Sequence, residues 1–266
     1  MEILDKYDIR PTKNFGQNFI IDPNVVVKIA KGNADKSLTT LEIGPGIGSL
    51  TEQLCIYSKK VYSYEIDKKL IPILEQELKD VNNLTLINRD FLKVDLKKEP
   101  YVDDQIVVIA NLPYYITTPI LFKLFESPLK IKGIHVMIQK EVGQRLLAKT
   151  GSKDYAALSL IVQYLYDVSK FMDVSKQVFY PKPNVDSIVV SLRPKQTDPN
   201  IDQQRLFDLI KSGFKYRRKT LYNNLKELGS DQLLAVLEKH GYSQKRAEEL
   251  SLEDYLLIYH ETESIR

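Results

Sequence analysis

Cysteine and histidine are scarce in this sequence of 266 residues, which contains one cysteine and three histidines. The single cysteine, Cys55, excludes an internal disulfide framework, and its helical spacing from nearby leucines indicates a core position. The histidines lie too far apart along the chain for the usual spacing of metal ligands. We therefore expect no metal site.

Long apolar runs are also absent. No run approaches the ~18 residues that a membrane-spanning helix needs, and the N-terminus has no apolar signal core. We therefore expect a cytoplasmic protein that does not interact with membranes. The net charge is only +3, so an affinity for nucleic acid has to be argued from where the basic residues lie.

Strand-like and helix-like segments alternate through the first two thirds of the chain. Strands are predicted at 38–43, 60–64, 84–88, 105–110 and 133–138, and helices at 49–57, 67–79, 118–126, 140–149 and 154–165. This alternation predicts an α/β fold, a mostly parallel sheet with helices on both faces. Two further strands, 166–174 and 187–193, form a hairpin-like pair, so we expect the last strand to be antiparallel.

The pattern becomes helical throughout after a polar linker near residues 195–200. Helices are predicted at 202–214, 217–228, 231–240, 243–249 and 252–260. We therefore predict two domains, an α/β domain at 1–195 and a small all-α domain at 196–266. The first 20 residues are expected to form a basic arm that runs into a structured loop.

A glycine-rich turn, Gly44-Pro45-Gly46-Ile47-Gly48, joins a predicted strand to a helix. Such a turn lets a ligand approach the backbone, and Glu65, at the end of the next strand, has the spacing of an acid that binds a ribose diol. Dinucleotides and S-adenosylmethionine share this geometry. A dinucleotide site would show G-x-G-x-x-G, and the last glycine of that motif is missing here. Glu42 beside the turn would repel a phosphate, whereas it would suit the sulfonium of S-adenosylmethionine. Asp90, followed by Phe91, is placed to accept from an adenine amino group.

A buried-strand pattern ends abruptly at Asn111-Leu112-Pro113-Tyr114. Pro113 holds Leu112 extended, which leaves the Leu112 carbonyl free to point outward beside the Asn111 side chain. Two fixed acceptors beside an aromatic face suit a flat ring with an exocyclic amine. On this pattern alone, a strand that ends in a proline-containing turn is an equally good interpretation, and the upstream acids favour the binding site.

Several motifs together are highly specific. They are F-G-Q-N-F, E-I-G-P-G-I-G, Y-E-I-D, N-R-D-F, N-L-P-Y, V-F-Y-P-K-P-N-V-D-S and R-R-K-T-L-Y-N-N-L. As a set they resemble the ribosomal RNA adenine dimethyltransferase family over nearly the whole chain. The resemblance is closest to the bacterial small-subunit branch, which dimethylates two adjacent adenosines near the 3′ end of small-subunit (16S) rRNA.

The resemblance implies a Rossmann-like class I methyltransferase domain with S-adenosylmethionine as donor, followed by a helical RNA-binding domain. The donor is expected to be bound by Asn18, Ile20, Gly44, Gly46, Glu65, Ile66, Asp90, Phe91 and Asn111. The catalytic turn is expected to be Asn111, Leu112, Pro113 and Tyr114, with Tyr114 stacked on the target base. Phe179 could close the other face, although from position alone a core role is as good an interpretation. Tyr115 stands where many family members have asparagine.

A basic run at 205–219 lies in the predicted helical domain, with Phe214 and Tyr216 interleaved. A solvated helix face is the ordinary interpretation of such a run, but this domain has no catalytic pattern of its own, so we favour phosphate contact. The candidate RNA-binding residues are Lys6, Arg10, Lys13, Lys215, Arg217, Arg218 and Lys219. The expected partner is the rRNA of an immature small ribosomal subunit, and nothing requires more than a monomer.

Two alternatives stand beside this interpretation. One is the erythromycin-resistance branch, which modifies a large-subunit adenine, but N-L-P-Y in place of N-I-P-Y favours the small-subunit branch. The other is a non-catalytic ribosome-assembly or transcription factor on the same scaffold. The complete set of Glu65, Asp90 and Asn111 argues against it, because a binding module has no use for a methyl-donor site.

Overall fold

The computed structural model describes residues 2–11, 16–228 and 231–263, which fall into two compact units. The first unit comprises Met1–Gly143 and Ser169–Pro194, and the second comprises Gln144–Val168 and Lys195–Arg266. The boundary near residue 195 coincides with the predicted linker. Residues 144–168 differ from the prediction, which placed them in the first domain, because a helix within them packs against helices of the second unit.

The strands and the first six helices follow one another along the first part of the chain. The strands are β1 (Phe19–Ile20), β2 (Thr39–Ile43), β3 (Lys60–Glu65), β4 (Leu84–Asn88), β5 (Gln105–Asn111), β6 (Lys130–Gln139), β7 (Tyr166–Val174), β8 (Phe179–Tyr180) and β9 (Ser187–Pro194). The helices are α1 (Glu2–Lys6), α2 (Pro23–Asn33), α3 (Ser49–Tyr57), α4 (Ile71–Glu77), α5 (Thr117–Phe125) and α6 (Lys140–Leu147).

Seven strands form one sheet in the order β4-β3-β2-β5-β6-β9-β7. The strands β2 to β6 pair in parallel, whereas β9 pairs with β6 antiparallel. The predicted α/β fold and its antiparallel last strand are therefore confirmed. The central strand β5 is buried over Ile106–Ala110, as a parallel strand covered on both faces should be.

A second, two-stranded sheet was not predicted. In it β1 and β8 pair antiparallel, with Phe19 opposite Tyr180 and Ile20 opposite Phe179. Each strand is only two residues long, so neither has a sequence period that could reveal it. The pairing brings the segment before α2 to the proline-rich loop that precedes β9.

A core cluster lies between helices α2 and α3 and the sheet. It includes Ile29, Leu54, Val107 and Phe179, and half-buried Cys55 packs against its edge. The core position expected for the cysteine is consistent with this packing.

The second unit is built from short helices. They are α7 (Ala157–Leu165), α8 (Gln203–Gly213), α9 (Leu221–Leu225), α10 (Asp231–Lys239) and α11 (Leu252–Glu263). The predicted helix at 217–228 begins only at Leu221, because Thr220 caps it by accepting from the Asn223 N–H. The predicted helix at 243–249 is reduced to the single 3₁₀ turn Ala247–Glu249.

One buried asparagine fixes the segment between α8 and α9. The Asn224 amide donates to the carbonyls of Gly213 (2.6 Å) and Tyr216 (3.2 Å) and accepts from the Tyr216 N–H (3.2 Å). Backbone groups outside regular structure need such partners when they are buried. Asn224 thereby shapes the loop that carries the basic run.

No helix within the described ranges combines the length and the apolar character needed to cross a bilayer. Among the same residues, no three His, Cys, Asp or Glu side chains are grouped so that they could hold a metal ion.

Candidate active site

The carboxyl ends of four parallel strands define one edge of the sheet. Ile43 pairs with Tyr64 across β2 and β3, and Glu65 pairs with Asn88 across β3 and β4. Parallel strands place their carboxyl ends on the same side, which is where open α/β sheets bind ligands. The predicted donor and target residues therefore converge from distant parts of the sequence.

The turn after β2 depends on glycine. Gly46 has φ of 60°, in the left-handed region, and a Cβ added to it would lie 2.9 Å from the Phe19 ring. Gly48 has φ of 87°, and a Cβ there would lie 2.9 Å from a Leu74 methyl carbon. The turn can therefore follow this path, with its backbone open to the cavity, only when these side chains are missing.

Glu65 closes β3 with its carboxylate held by backbone donors. Its Oε1 accepts from the Asp67 N–H (2.8 Å) and its Oε2 accepts from the Gly46 N–H (3.2 Å). Burial raises the pKa of Glu65 to about 7, against the lowering effect of these two donors. The carboxylate is thus fixed in place beside the glycine turn.

Glu42 does not line the cavity as the sequence suggested. Its side chain is buried, and its Oε2 accepts from the Ser63 hydroxyl (2.7 Å). Burial raises the pKa of Glu42 to about 7, with a further contribution from the nearby charge of Glu65. Glu42 therefore does not supply the negative charge that the sequence analysis expected at the cavity.

Asp90 caps the short 3₁₀ helix Phe91–Lys93 by accepting from the Leu92 N–H (3.0 Å). The Phe91 ring is buried and meets the Tyr64 ring edge to face, with 5.3 Å between centroids. These contacts fix the loop after β4, so the Asp90 carboxylate has a defined position at the cavity.

A buried hydrogen-bond network that the sequence analysis did not predict lies behind this loop. Buried Glu99 accepts from the Tyr64 hydroxyl (2.6 Å) and from the Arg89 guanidinium (2.9 Å). The Tyr101 hydroxyl shares a 2.7 Å hydrogen bond with that of Tyr64. Arg89 reaches the cavity while its charge is paired with Glu99.

Asn111 ends β5 and turns toward the segment before β1. Its Nδ2 donates to the Asn18 carbonyl (3.2 Å), which leaves the Oδ1 of the same amide as an acceptor. The Leu112 N–H donates to the Met137 carbonyl (3.1 Å), which anchors the turn to β6. The amide group and the Leu112 carbonyl are therefore held on one short, anchored turn.

One cavity is lined by nearly all of the predicted donor and target residues. They are Asn18, Ile20, Gly44, Gly46, Glu65, Ile66, Asp90, Phe91, Asn111, Leu112, Pro113 and Tyr114. Lining residues that the sequence analysis did not select include Gln17, Arg89 and Tyr115. Gln17 donates to Asp67 (3.0 Å), and Tyr115 is half-exposed over Gly16. Gln17 and Arg89 lie within F-G-Q-N-F and N-R-D-F, and Tyr115 directly follows N-L-P-Y, but their residue types indicated no separate role.

Phe179 requires a correction. Its side chain is 3% exposed and packs in the core cluster with Ile20, so in this structure it is a core residue. The cause is the unpredicted pairing of β8 with β1, since successive residues of a strand point to opposite faces. Tyr180, the next residue, is the exposed aromatic of this loop, at 41%.

The basic candidates lie on the surface and have local partners. Lys6 pairs with Glu77 (2.7 Å), and Lys215 pairs with Glu227 (2.6 Å). Arg217 donates to the Lys153 carbonyl (2.8 Å), and Lys219 lies 4.4 Å from the centroid of the Tyr216 ring. Arg10 is near Asp8 (3.8 Å), Arg218 is exposed, and Lys13 lies outside the described residues. Exposed ion pairs of this kind contribute little to stability. The basic side chains can therefore exchange their local partners for other anions.

Known proteins are similar to this chain over nearly its whole length. A family model described as ribosomal RNA adenine dimethylase matches residues 10–264. Two curated relatives, both named ribosomal RNA small subunit methyltransferase A, come from Staphylococcus haemolyticus (strain JCSC1435) and Staphylococcus aureus (strain Newman). They are 44% and 45% identical to this chain, and each match covers 97% of this chain and 92% of the relative.

Solved structures give the same picture of the fold. A dimethyladenosine transferase from Plasmodium falciparum is 29% identical with a TM-score of 0.80, over 92% of this chain and 98% of the other. The 23S rRNA methyltransferase ErmE has a TM-score of 0.71 over 92% of this chain and 99% of the other. At 24% identity, this second likeness concerns the fold alone.

We predict that Glu42→Gln changes how folding stability depends on pH. The pKa of Glu42 rises from its usual 4.5 to about 7 in the folded protein, so the unfolded chain loses this proton at lower pH. The contribution of Glu42 to stability is thus fully present below pH 4.5 and declines as the pH rises to about 7. For a shift of this size the decline is about 3 kcal/mol.

The measurement is urea unfolding of the unaltered protein and of Glu42→Gln at about pH 5 and pH 8. Glutamine is uncharged at both values, so the difference between the two stabilities should shrink in the variant. Glu75→Gln, at an exposed position of α4, is the control that should leave the difference unchanged. Equal pH dependence in Glu42→Gln and the unaltered protein would contradict the assignment.

Proposed function

The chain belongs to the ribosomal RNA adenine dimethylase family, and from this premise we propose that it dimethylates N6 of two adjacent adenosines. The proposed targets lie near the 3′ end of small-subunit rRNA, and the proposed methyl donor is S-adenosylmethionine. The observation that carries the proposal is the single cavity that joins Glu65 and Asp90 to the Asn111–Tyr114 turn.

The two curated relatives support small-subunit rRNA as the proposed substrate. Both are named for the small subunit and are 44–45% identical to this chain over nearly its whole length. The likeness to the 23S rRNA methyltransferase ErmE, at 24% identity, is a likeness of fold and does not support the large-subunit alternative. The family assignment and the complete cavity also speak against a purely non-catalytic assembly factor.

The chemistry of the cavity suits a cationic donor without phosphates. Of the described residues that line it, Glu65 and Asp90 are the acids and Arg89 is the only cation. Arg89 is itself paired with Glu99, so it offers little to a pyrophosphate. A sulfonium compound therefore fits these residues better than a dinucleotide does.

We assign the donor contacts as follows. Glu65 accepts from the ribose hydroxyls, Asp90 accepts from the adenine amino group, and Phe91 packs beside the adenine. Gly44 and Gly46 allow the donor to approach the backbone. The remaining contacts come from Asn18, Ile20 and Ile66, which line the same cavity.

The target turn supports methylation by selecting one state of the adenine amine. The N6 lone pair is delocalised into the ring, so the free amine is a poor nucleophile. Acceptance of one N6–H each by the Asn111 Oδ1 and the Leu112 carbonyl draws the nitrogen toward tetrahedral geometry. Positive charge develops on N6 as it attacks, and these acceptors stabilise that charge more than the neutral ground state.

S-adenosylmethionine supplies an electrophilic methyl group when it is bound. No residue of the turn has to act as a strong base, because the methylated ammonium is acidic enough to lose its proton to water. Pro113 fixes the path of the turn, and stacking on Tyr114 contributes ~1–3 kcal/mol to holding the base. The target adenosine has to be unpaired or flipped out of a helix to reach this turn.

The helical unit is the proposed reader of rRNA phosphates. Its candidates are Lys215, Arg217, Arg218 and Lys219, on the loop that Asn224 shapes. Half-exposed Tyr216 beside the lysines offers a stacking face for a base. Lys6, Arg10 and Lys13 are the corresponding candidates near the N-terminus.

The proposed partner is the rRNA of an immature small subunit, in which the target bases are still accessible. An enzyme of this kind works where ribosomal particles are assembled, which supports the predicted cytoplasmic location. The proposed enzyme acts as a monomer and needs no metal for the transfer described above.

We predict that Asn111→Ala slows methyl transfer much more than it weakens binding of the ribosomal particle. The lost hydrogen bond acts chiefly in the transition state, so the single-turnover rate constant should fall by a factor of about 100 or more. Rapid-quench measurements with labelled donor give this rate constant, and filter binding gives the affinity for the particle.

Asn83→Ala is the matched control for this experiment. Asn83 is also half-buried and donates to two backbone carbonyls, but it precedes β4 at the opposite edge of the sheet. Its replacement should lower stability and leave the rate of transfer intact. If Asn111→Ala retains most of its single-turnover rate, Asn111 is only a structural turn residue.

We also predict that reversing Arg217 and Arg218 to glutamate separates particle binding from donor binding. Phosphate attraction is replaced by repulsion, so affinity for the particle should drop steeply and its dependence on salt should flatten. Donor affinity, measured by calorimetry, should stay the same because Glu65 and Asp90 belong to the other unit.

Lys226→Glu provides a charge reversal just outside the run and should have a much smaller effect. Circular dichroism verifies that each variant is folded. Unchanged particle affinity and an unchanged salt slope in the folded double variant would mean that the RNA follows another surface.

A further inference from the structure

One hydrogen bond joins the catalytic turn to β9, which lies two strands from β5 in the sheet. The hydroxyls of Tyr114 and Ser187 lie 2.7 Å apart, and either group can donate. Ser187 is the first residue of β9 and is completely buried, whereas Tyr114 is half-buried and lines the cavity. A buried hydroxyl without a partner destabilises the folded state, so the folded protein favours the paired arrangement.

The backbone end of Tyr114 is fixed as well. The Leu112 N–H donates to the Met137 carbonyl (3.1 Å), and the Thr117 hydroxyl donates to the Pro113 carbonyl (3.1 Å). The ring is therefore held at its attachment to the backbone and at its hydroxyl. A side chain held at both ends has little freedom to tilt, and stacking on a base depends on the angle between the two planes.

Ser187 is itself anchored from three directions. It pairs with Gln139 in the antiparallel ladder between β9 and β6. Asp186, directly before it, accepts from the Lys176 N–H through its side chain (2.9 Å) and from the Lys140 N–H through its carbonyl (3.0 Å). The serine hydroxyl thus has a position fixed by the sheet, by the start of α6 and by the segment between β7 and β8.

We propose that Ser187 is a positioning residue for methyl transfer, whose hydroxyl holds the Tyr114 ring in the orientation that stacks on the target adenine. This inference rests on the proposed function of the cavity. Ser187 does not touch the base and acts only through Tyr114. Without the hydrogen bond the ring remains but tilts, so the base is held less often in the reactive orientation. Donor binding by Glu65 and Asp90 does not depend on this bond.

A double-mutant cycle tests the proposal. Single-turnover rates on small-subunit particles are measured with saturating donor for the unaltered protein, Ser187→Ala, Tyr114→Phe and the double variant. Each single change should lower the rate about fivefold to tenfold, the effect of one hydrogen bond of ordinary strength. The double variant should be no slower than the slower single variant, because both changes remove the same bond. The donor dissociation constant should be the same in all four proteins.

Ser191→Ala is the matched control. Ser191 lies on the same strand, is also buried, and shares a 2.9 Å hydrogen bond with His135, away from the catalytic turn. It should lower the unfolding temperature about as much as Ser187→Ala does, without slowing transfer. A rate loss in Ser191→Ala equal to that in Ser187→Ala would show that general destabilisation explains both and would overturn the proposal.

The other outcomes are equally decisive. Unchanged rates in Ser187→Ala or Tyr114→Phe, or rate losses that multiply in the double variant, would overturn the inference alone. If Ser187→Ala does not fold, Tyr114→Phe still removes the bond from the cavity side, and a normal rate for it would overturn the inference. If the unaltered protein transfers no methyl group to rRNA, the proposed function fails, and this inference fails with it.

Discussion

Parallel pairing of the strands β2 to β5 is the constraint on which the site depends. Hydrogen bonding in register aligns their carboxyl ends, so that the glycine turn, Glu65, the Asp90 loop and Asn111 meet at one edge. These residues are separated by about 20 residues each along the chain, because each crossover requires a helix or a long connection. A shift in the pairing of any one strand would remove one group from the cavity.

The electrostatics of this edge follow from its burial. Glu65 is held by backbone donors but remains costly to ionise, and its pKa of about 7 reflects that balance. The hydroxyl groups of a bound ribose would donate to Glu65 in place of the lost water and would favour the charged form of its carboxylate. Arg89, the cation at the cavity, is already neutralised by Glu99. The site therefore favours a ligand that brings hydrogen-bond donors and positive charge.

Two hydrogen bonds tether the Asn111–Tyr114 turn to other parts of the first unit. The Asn111 amide donates to the Asn18 carbonyl, so a segment that lines the cavity also holds the side chain that we propose as an acceptor for the target amine. The Tyr114 hydroxyl shares a hydrogen bond with Ser187 on β9, so the ring is held from a strand that lies two strands from β5. In the proposed reaction both contacts act by limiting the freedom of groups that have to meet the target base in one geometry.

The sequence predicted the sheet and its antiparallel last strand, and nearly all of the donor and target residues that it selected line the cavity. Strand tips carry strong local signals, such as the glycines after Ile43 and the proline after Leu112. Phe179 shows the limit of this reasoning, because its burial depends on the pairing of β8 with β1 across a long stretch of chain. The same holds for Ser187, Gln17 and the Glu99 network, because their contacts join distant segments of the chain, and neither a period nor a motif indicates which residues those contacts join.

The central claim is tested most directly by mapping where the purified protein places methyl groups. Small and large ribosomal subunits from cells that lack this protein are incubated with it and labelled S-adenosylmethionine, and modified nucleosides are located by mass spectrometry of rRNA fragments. The account predicts N6,N6-dimethyladenosine at two adjacent positions near the 3′ end of small-subunit rRNA and none in the large subunit. Modification of a large-subunit adenine, or of neither RNA, would contradict it.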